Sequence, residues 1–469
     1  MNRHIGIACL ASFALAVSAC ARIDRPALEA RITSANDGIP TDWQIAGTPN
    51  TIRAENWLTL FDDPILADYL QQAEAANYDL RQARVNLAQS REAVVQARSA
   101  LLPTVNASGG FAASTLLEDL DDINDSSNSA LSFFWDPDIF GVRRANVRQA
   151  QAAERAQQAV AFNIRQQVLA SVAQLYISII QSQQQLELAR TNLGFLEERF
   201  RISEAQFAAG AIGGDELSFA EATFQSSLAG FRNQELATRL TRRALSLLLG
   251  DYGDDDLAVA DQLPLAINLP EHGLPANVLA SRPDVQLAWA QIEIAIQGLE
   301  ITVRDDWPTL TLSGSIGGGG PSLGDIFEPS SYVAALAANL AGNVFDAGLK
   351  KSQVAAARLN TVNALLNYEE TLRAAKAEIE NIYDQDSVSK NALAAQRDAS
   401  KAGDEALRLA QIRFDLGESD LLSVLQVQQT VNGINAARIN AEASLLGNQI
   451  DAYLAAGGDL TGPEPEPTG

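Results

Sequence analysis

One residue in this sequence stands where covalent chemistry is expected of it. Cys20 closes the run Val17-Ser18-Ala19-Cys20, an aliphatic residue, two small residues and a cysteine, which resembles a bacterial lipobox. Cleavage before Cys20 would leave its thiol to carry lipid at the mature N-terminus. The residues ahead of it read as an export signal: Asn2-Arg3-His4 is a short basic region and Ile5 to Val17 is apolar. Ala21 follows, not an aspartate, which in Gram-negative lipoproteins favours sorting to the outer membrane. The competing reading is an ordinary signal peptide with an incidental cysteine. The only other cysteine, Cys9, lies inside the signal, so no disulfide forms within the mature chain even in an oxidising compartment.

Little else in the chain promises a reaction. After the signal one histidine remains, His272. The run Gly317-Gly318-Gly319-Gly320 leads into Pro321 and not into a Gly-Lys-Ser/Thr helix start, so it reads as a loop and not as a phosphate cradle. Carboxylates are too plentiful to single out a pair, and no catalytic constellation can be assembled. The expectation is a protein that is not an enzyme and uses no cofactor or metal. The net charge of −24 argues against nucleic acid as a partner. It suits an acidic lumen or an acidic loop, or serves only solubility. No long apolar run follows the signal, so any membrane crossing is left to β-strands.

The elements repeat. Pro103-Thr104-Val105-Asn106-Ala107-Ser108-Gly109 returns as Pro308-Thr309-Leu310-Thr311-Leu312-Ser313-Gly314. Ile139-Phe140-Gly141 returns in Val344-Phe345 and Gly348, and Gln206-Phe207-Ala208-Ala209-Gly210 returns as Arg413-Phe414-Asp415-Leu416-Gly417. Landmarks in one order at nearly constant offset mean an internal duplication. Each copy holds a helix, a strand pair and a long helical hairpin, a layout that suggests a tube with a small barrel at one end.

Helices are expected over 65–102 and 277–305, strands over 104–113 and 129–135 around an acidic loop 114–128, and strands over 309–316 and 332–340 around a loop 317–331. Phe133, Phe134 and Trp135 suit either an aromatic belt at a membrane boundary or packing against the helices. From Gly141 the pattern is helical for roughly 70 residues, about 105 Å of rise. Val172, Ile179, Leu186, Leu193, Phe200 and Phe207 recur every seventh residue, a heptad seam. Leu365, Leu372, Ile379, Leu393, Leu407 and Phe414 repeat it, with Asp386 and Ser400 as exceptions. Gly210 and Gly417 are expected to stop the long helices, and Asp215 and Asp420 to cap the return helices 216–249 and 421–456.

The expected domains are a signal peptide 1–19 and a lipidated extended segment 20–60. A first repeat, 61–250, contains a β-hairpin 103–136 and a helical hairpin 140–250. A Pro-rich linker, 251–275, crosses the outside of the bundle. A second repeat, 276–458, contains hairpins 308–341 and 347–456, and a disordered tail occupies 459–469. Four strands cannot close a barrel, and open edges are not tolerated in lipid, so two or more protomers must share one barrel. Three would supply twelve strands.

Further motifs carry a family resemblance across roughly 55–460. They are Trp57 with Phe61-Asp62-Asp63-Pro64, Asn77-Tyr78-Asp79-Leu80, Trp135-Asp136-Pro137-Asp138-Ile139-Phe140-Gly141, Arg282-Pro283-Asp284-Val285, Leu422 with Leu425, and Ala456-Gly457-Gly458. With the duplication and the lipobox, they resemble the TolC/OprM family of outer-membrane efflux proteins in its lipoprotein (RND/NodT-type) branch. The resemblance implies a mainly α fold with a small β part, a duplicated long-helix α-barrel with two β-hairpins per protomer, and a homotrimer closing a 12-stranded barrel. It implies outer-membrane lipid around the barrel, a periplasmic adaptor and an inner-membrane RND-type transporter as partners, and passive conduction of small molecules or drugs.

It also places the periplasmic tip at 208–220 and 415–426. The tip and gate candidates are Phe207, Gly210, Asp215, Leu217, Arg413, Phe414, Gly417, Asp420, Leu422 and Gln426. Many members carry an acid where Gln426 stands. Capping, helix termination and simple exposure compete with tip roles for Asp215, Asp420, Gly210, Gly417 and Arg413, and core packing competes with gating for Phe207 and Phe414. Trp289 replaces the family's usual glutamate, and the first turn reads as two residues longer than the second. Type I protein secretion and a periplasmic coiled-coil structural lipoprotein remain as alternative functions.

Overall fold

In the computed structural model the described residues are Ala30, Thr33, 61–116, 119–253, 256–266, Leu269 and 275–457. The signal 1–19, Cys20, most of 20–60, His272 and the tail 459–469 lie outside them. The helices are α1 (Pro64–Ala76), α2 (Tyr78–Ser99), α3 (Val142–Ala208), α4 (Gly214–Leu248), α5 (Pro275–Ser281), α6 (Pro283–Arg304), α7 (Leu349–Asp415) and α8 (Leu421–Ala455). The strands are β1 (Thr104–Leu116), β2 (Asp119–Trp135), β3 (Thr309–Gly320) and β4 (Val333–Ala341). The two halves match in length: α3 and α7 have 67 residues each, and α4 and α8 have 35 each. No described helix is long and apolar enough to cross a membrane.

The chain divides into two units. The first holds the sheet, the early part of α3, α6 and the start of α7. Its strands form one antiparallel sheet in the order β1-β2-β3-β4, leaving β1 and β4 as the edges. The strands run further than the sequence suggested. The acidic stretch after Ser114 is not a loop but continues both strands, with Ser114 opposite Asn124 and Leu116 opposite Asp119. Paired strands satisfy their backbone groups against each other, and this outweighs the poor strand propensity of Asp and Asn. The Gly317–Gly320 run is likewise strand, paired with Ser127–Ala130. A β-carbon at Gly319 would collide with the Ser127 carbonyl, so glycine permits the close approach. Two 3-10 turns, Leu323–Phe327 and Pro329–Ser331, then lead to β4.

Below the sheet, Trp135 donates its indole N–H to the Leu101 carbonyl at 3.0 Å. Phe140 stacks on Trp307 at 5.2 Å. Phe133 lies over Gly314, whereas Phe134 is exposed. Arg148 reaches the fully buried Glu300 at 2.6 Å and Gln297 at 2.8 Å, joining α3 to α6. Trp289 meets the edge of Tyr368 on α7, ring centroids 5.8 Å apart, which gives the unexpected tryptophan a packing role.

The second unit holds α1, α4, α5, α8 and the remaining lengths of α3 and α7. Its core gathers Leu66 and Tyr69 of α1, Leu169 to Ile180 of α3, Leu245 of α4 and Leu446, Ile450 and Tyr453 of α8. The family motifs turn out to be joints. Asp63 caps α1, accepting from the Ile65 and Leu66 amides at 2.9 and 3.2 Å. Its other oxygen accepts from the Tyr176 hydroxyl at 2.6 Å. Asn77 breaks the expected helix 65–102 into α1 and α2, capping Leu80 at 3.1 Å while donating to the Leu248 carbonyl at 2.8 Å. Arg282 breaks 277–305 into α5 and α6. It grips Asp284 with two nitrogens at 3.0 and 2.8 Å, Glu378 at 2.6 Å and the Ala455 carbonyl at 2.9 Å.

The described part of the linker is pinned. Tyr69 donates to the Ala258 carbonyl at 2.8 Å, and the Ala260 amide donates to the Tyr176 hydroxyl at 3.1 Å. Tyr176→Phe therefore strips a partner from both Asp63 and Ala260. The expected cost is about 1–3 kcal/mol, the usual penalty for a buried polar group left unmade, read as a lower melting temperature of the helical circular-dichroism signal.

Candidate functional site

Both long hairpins turn in the same way. At the end of α3, Gly210 adopts φ +71°. Its amide bonds the Phe207 carbonyl at 2.9 Å, and the Ala211 amide bonds Gln206 at 2.8 Å. At the end of α7, Gly417 adopts φ +77°. Its amide bonds Phe414 at 2.9 Å, and the Glu418 amide bonds Arg413 at 2.9 Å. This is the Schellman arrangement, in which a left-handed residue lets two amides close the last turn. Gly210 and Gly417 thus do stop the helices.

The caps correct one expectation. Asp420 caps α8 as read from the sequence, accepting from the Ser423 amide at 2.8 Å. Asp215 does not cap α4. The N-cap is Gly213, which offers no side chain, and Asp215 sits inside the first turn with Glu216. There both acids face the positive end of the helix dipole. The two turns are therefore equal in length, because Gly213 is the counterpart of Asp420. The same alignment pairs Asp215 with Leu422, Leu217 with Val424, and Phe219 with Gln426. Phe219, exposed by 59%, escaped the sequence reading because that reading aligned Asp215 with Asp420.

Packing thins towards these turns. Val172 and Ile179 are completely buried, whereas Phe207 is exposed by 46%. On α7, Leu372 and Ile379 are buried and Phe414 is 37% exposed. Phe207 and Phe414 are thus not sealed within the single chain. Phe414 instead borders a cavity of about 210 Å³ with Phe195, Arg199, Ile202 and Val424. Leu217 is half-buried, and Arg413, Leu422 and Gln426 are exposed. The seam's polar exceptions are satisfied in place. Asp386 meets Lys390 at 2.8 Å, and Ser400 donates to Asn435 at 2.6 Å.

Between α3 and α8 the pairing is of amides with amides and with one carboxylate. Gln174 donates to Asp451 at 2.8 Å, Gln181 to Asn440 at 2.8 Å, and Asn432 to Asn192 at 2.6 Å. Near the turns a charge joins in. Arg199 of α3 interacts with Glu216 of α4 and Asp420 of α8; burial pushes its guanidinium down and the two acids oppose that. Asp420 is held below the usual carboxylate range by the Ser423 hydroxyl and amide, with Arg199 adding to the effect. No cluster that could hold a metal occurs among the described residues.

Comparison with known proteins decides the family. The model of a family described as outer membrane efflux protein matches residues 69–251 and 274–458. The chain belongs to that family. It is 27% identical over 437 residues to the pyoverdine export outer membrane protein OpmQ of Pseudomonas aeruginosa, covering 89% of this chain and 91% of that one. It is 26% identical over 415 residues to the probable efflux pump outer membrane protein SepC of Pseudomonas putida, covering 86% and 85%. Among solved structures, the open state of the Neisseria gonorrhoeae MtrE outer membrane channel superposes with a TM-score of 0.79 at 25% identity, covering 90% of this chain and 96% of that one. This efflux protein is thus an outer-membrane component of an efflux system, built on the fold of such channels. That sets aside a periplasmic coiled-coil structural lipoprotein.

The attraction between Arg199 and the two acids predicts a pH response of defined sign. A carboxyl held low keeps its contacts throughout the neutral range and loses them only as pH falls below the ordinary carboxylate range. Single-channel conductance in planar bilayers should rise at that acidic pH. Asp420→Asn should raise it by a small factor already at neutral pH and flatten the acid response. Arg199→Ala should give the same rise at neutral pH.

Proposed function

We propose that this efflux protein is the passive exit duct of a tripartite system. Three copies pool their sheets into a twelve-stranded barrel, lipid on Cys20 anchors each copy, and the turns at 208–220 and 415–426 form the periplasmic tip. A periplasmic adaptor grips that tip and couples it to an inner-membrane RND-type transporter. Phe207, Gly210, Asp215, Leu217, Arg413, Phe414, Gly417, Asp420, Leu422 and Gln426 are the tip and gate residues, and Phe219 joins them. The cargo is small organic molecules, in keeping with relatives named for pyoverdine export and toluene efflux.

The observation that carries this reading is the pair of matched turns. They present Phe207, Phe219, Phe414 and Leu422 to solvent at the ends of helices whose remaining seam leucines, isoleucines and Phe200 are buried or half-buried. Apolar groups left bare at two equivalent places suit a protein partner. The attraction of Arg199 to Glu216 and Asp420, at the starts of α4 and α8, suits a closure that is held weakly and can be released. Gln426 carries no charge, so an electrostatic ring at that level is not part of the proposal.

A cysteine at Ser419, which lies in the second turn, tests the docking. In cells it should crosslink to a periplasmic adaptor that brings an inner-membrane transporter with it. A proton-driven drug pump supports the cargo reading, and an ATP-driven protein exporter overturns it. Crosslinks only between copies of this chain, from folded protein, would remove 415–420 from the docking surface. Separately, Cys20→Ser should abolish labelling by radioactive palmitate and leave the precursor uncleaved.

A further inference from the structure

The sheet ends on two bare edges, and the internal duplication says how they meet. Within the chain the second strand of the first repeat, β2, pairs with the first strand of the second repeat, β3. Phe133 stands opposite Gly314 and Leu131 opposite Ile316. The two hairpins share one register: Thr104 pairs with Phe134, and its duplicate Thr309 pairs with Ala341. Ala341 is thus the duplicate of Phe134, and Leu340 that of Phe133. Gly314 is the duplicate of Gly109.

The glycines show that one contact is made and its duplicate is missing. Gly314 must be glycine because the Phe133 ring fills the place of its β-carbon. Gly109 sits at the same place in the first repeat, yet a β-carbon there would meet only the Asn128 carbonyl at 3.8 Å. Its φ lies outside the left-handed region, so the backbone does not demand glycine either. Leu340, the duplicate of Phe133, is 65% exposed, and every residue of β4 is exposed. A long apolar edge of this kind requires cover.

We propose that β4 pairs antiparallel with β1 of a second copy in the register that places Leu340 opposite Gly109 of that copy. Leu340 then fills over Gly109 the place that Phe133 fills over Gly314. The same register sets Ala338 opposite Phe111, Leu336 opposite Ala113 and Val333 opposite Leu116. All nine residues of β4 find a partner within β1 of the second copy, and Val333 falls on Leu116, the last residue of that strand. A slip of one residue would turn the apolar side chains to the other face. The proposal rests on the shared barrel described above and adds which residues face each other across its seams.

Paired cysteines test it in outer-membrane preparations of the full protein. Leu340→Cys combined with Gly109→Cys should give covalent oligomers on mild copper–phenanthroline oxidation, which removes two electrons and two protons per disulfide. Both positions have room, so folding is not at stake. Leu340→Cys combined with Ala107→Cys or Phe111→Cys should link several-fold less. Such pairs lie about 7–8 Å apart on the same face, beyond the usual disulfide spacing. Leu131→Cys with Ile316→Cys is the control within one chain, because it belongs to the same class of opposed pair. Strongest linkage at Ala107 or Phe111 would overturn the register and leave the shared barrel intact. Linkage by Leu340→Cys alone would mean that two β4 edges meet. With the control oxidised, failure of every pair would mean that β4 is not covered by β1, and the shared barrel would fall with it.

Discussion

Two helices of 67 residues each must keep one apolar stripe covered, and the neighbouring elements can be read as ways of doing so. A stripe that recurs every seventh residue stays on one side only if the helices it meets wind with it. Each seam has partners of limited length, α4 and α8 with 35 residues, so its cover changes hands along the way. Where it passes through the second unit it is dense, with Val172, Ile179 and Ile450 sealed from solvent. Towards the turns it loosens, and the last knobs of the grid are bare. A helix that is held hard along its middle and lightly at its end concentrates motion at the end.

The periodicity made this scaffold legible. The heptads, the duplicated strand motif and the glycine stops predicted each long helix to within a few residues, because each rule is local or has a fixed period. The errors arose where tertiary pairing overrides local preference. The acidic residues around Asp121 and the glycines of 317–320 look like loops until a partner strand is known. Asn77 lies inside a good helical pattern, and its bond to Leu248 shows what fixes the bend there. Pro283, by contrast, marks the break after Arg282 in the sequence itself, and the contacts to Glu378 and Ala455 add its anchorage.

The turn residues were legible by type and not by role. Asp215 and Asp420 look alike in sequence, yet one caps a helix and the other does not, because Gly213 already occupies the cap. Phe219 carried no signal beyond being an aromatic residue near a helix start. Arg199 could not have been chosen from the many arginines of α3, since its acids come from two other helices. The motifs that reveal the family fare differently. Asp63, Asn77 and Arg282 are constrained by geometry at joints, which is why they read clearly from sequence and say little about cargo.

The amide pairs between α3 and α8 have a mechanical meaning. A glutamine or asparagine side chain carries donor and acceptor together, so each can release one neighbour and take another of the same kind. Asn440 already receives two glutamines, Gln181 at 2.8 Å and Gln185 at 2.5 Å. Between Gln181, Gln185 and Asn440, and between Asn192 and Asn432, such an exchange trades bonds of nearly equal strength. Next to them the apolar knobs of α3 and α8, from Leu169 to Ile180 and at Leu446 and Ile450, hold the two helices in one setting. Towards the turns, where the apolar core gives out, the Asn192–Asn432 pair leaves α3 and α8 joined by a bond that can be exchanged without burying an unpaired charge.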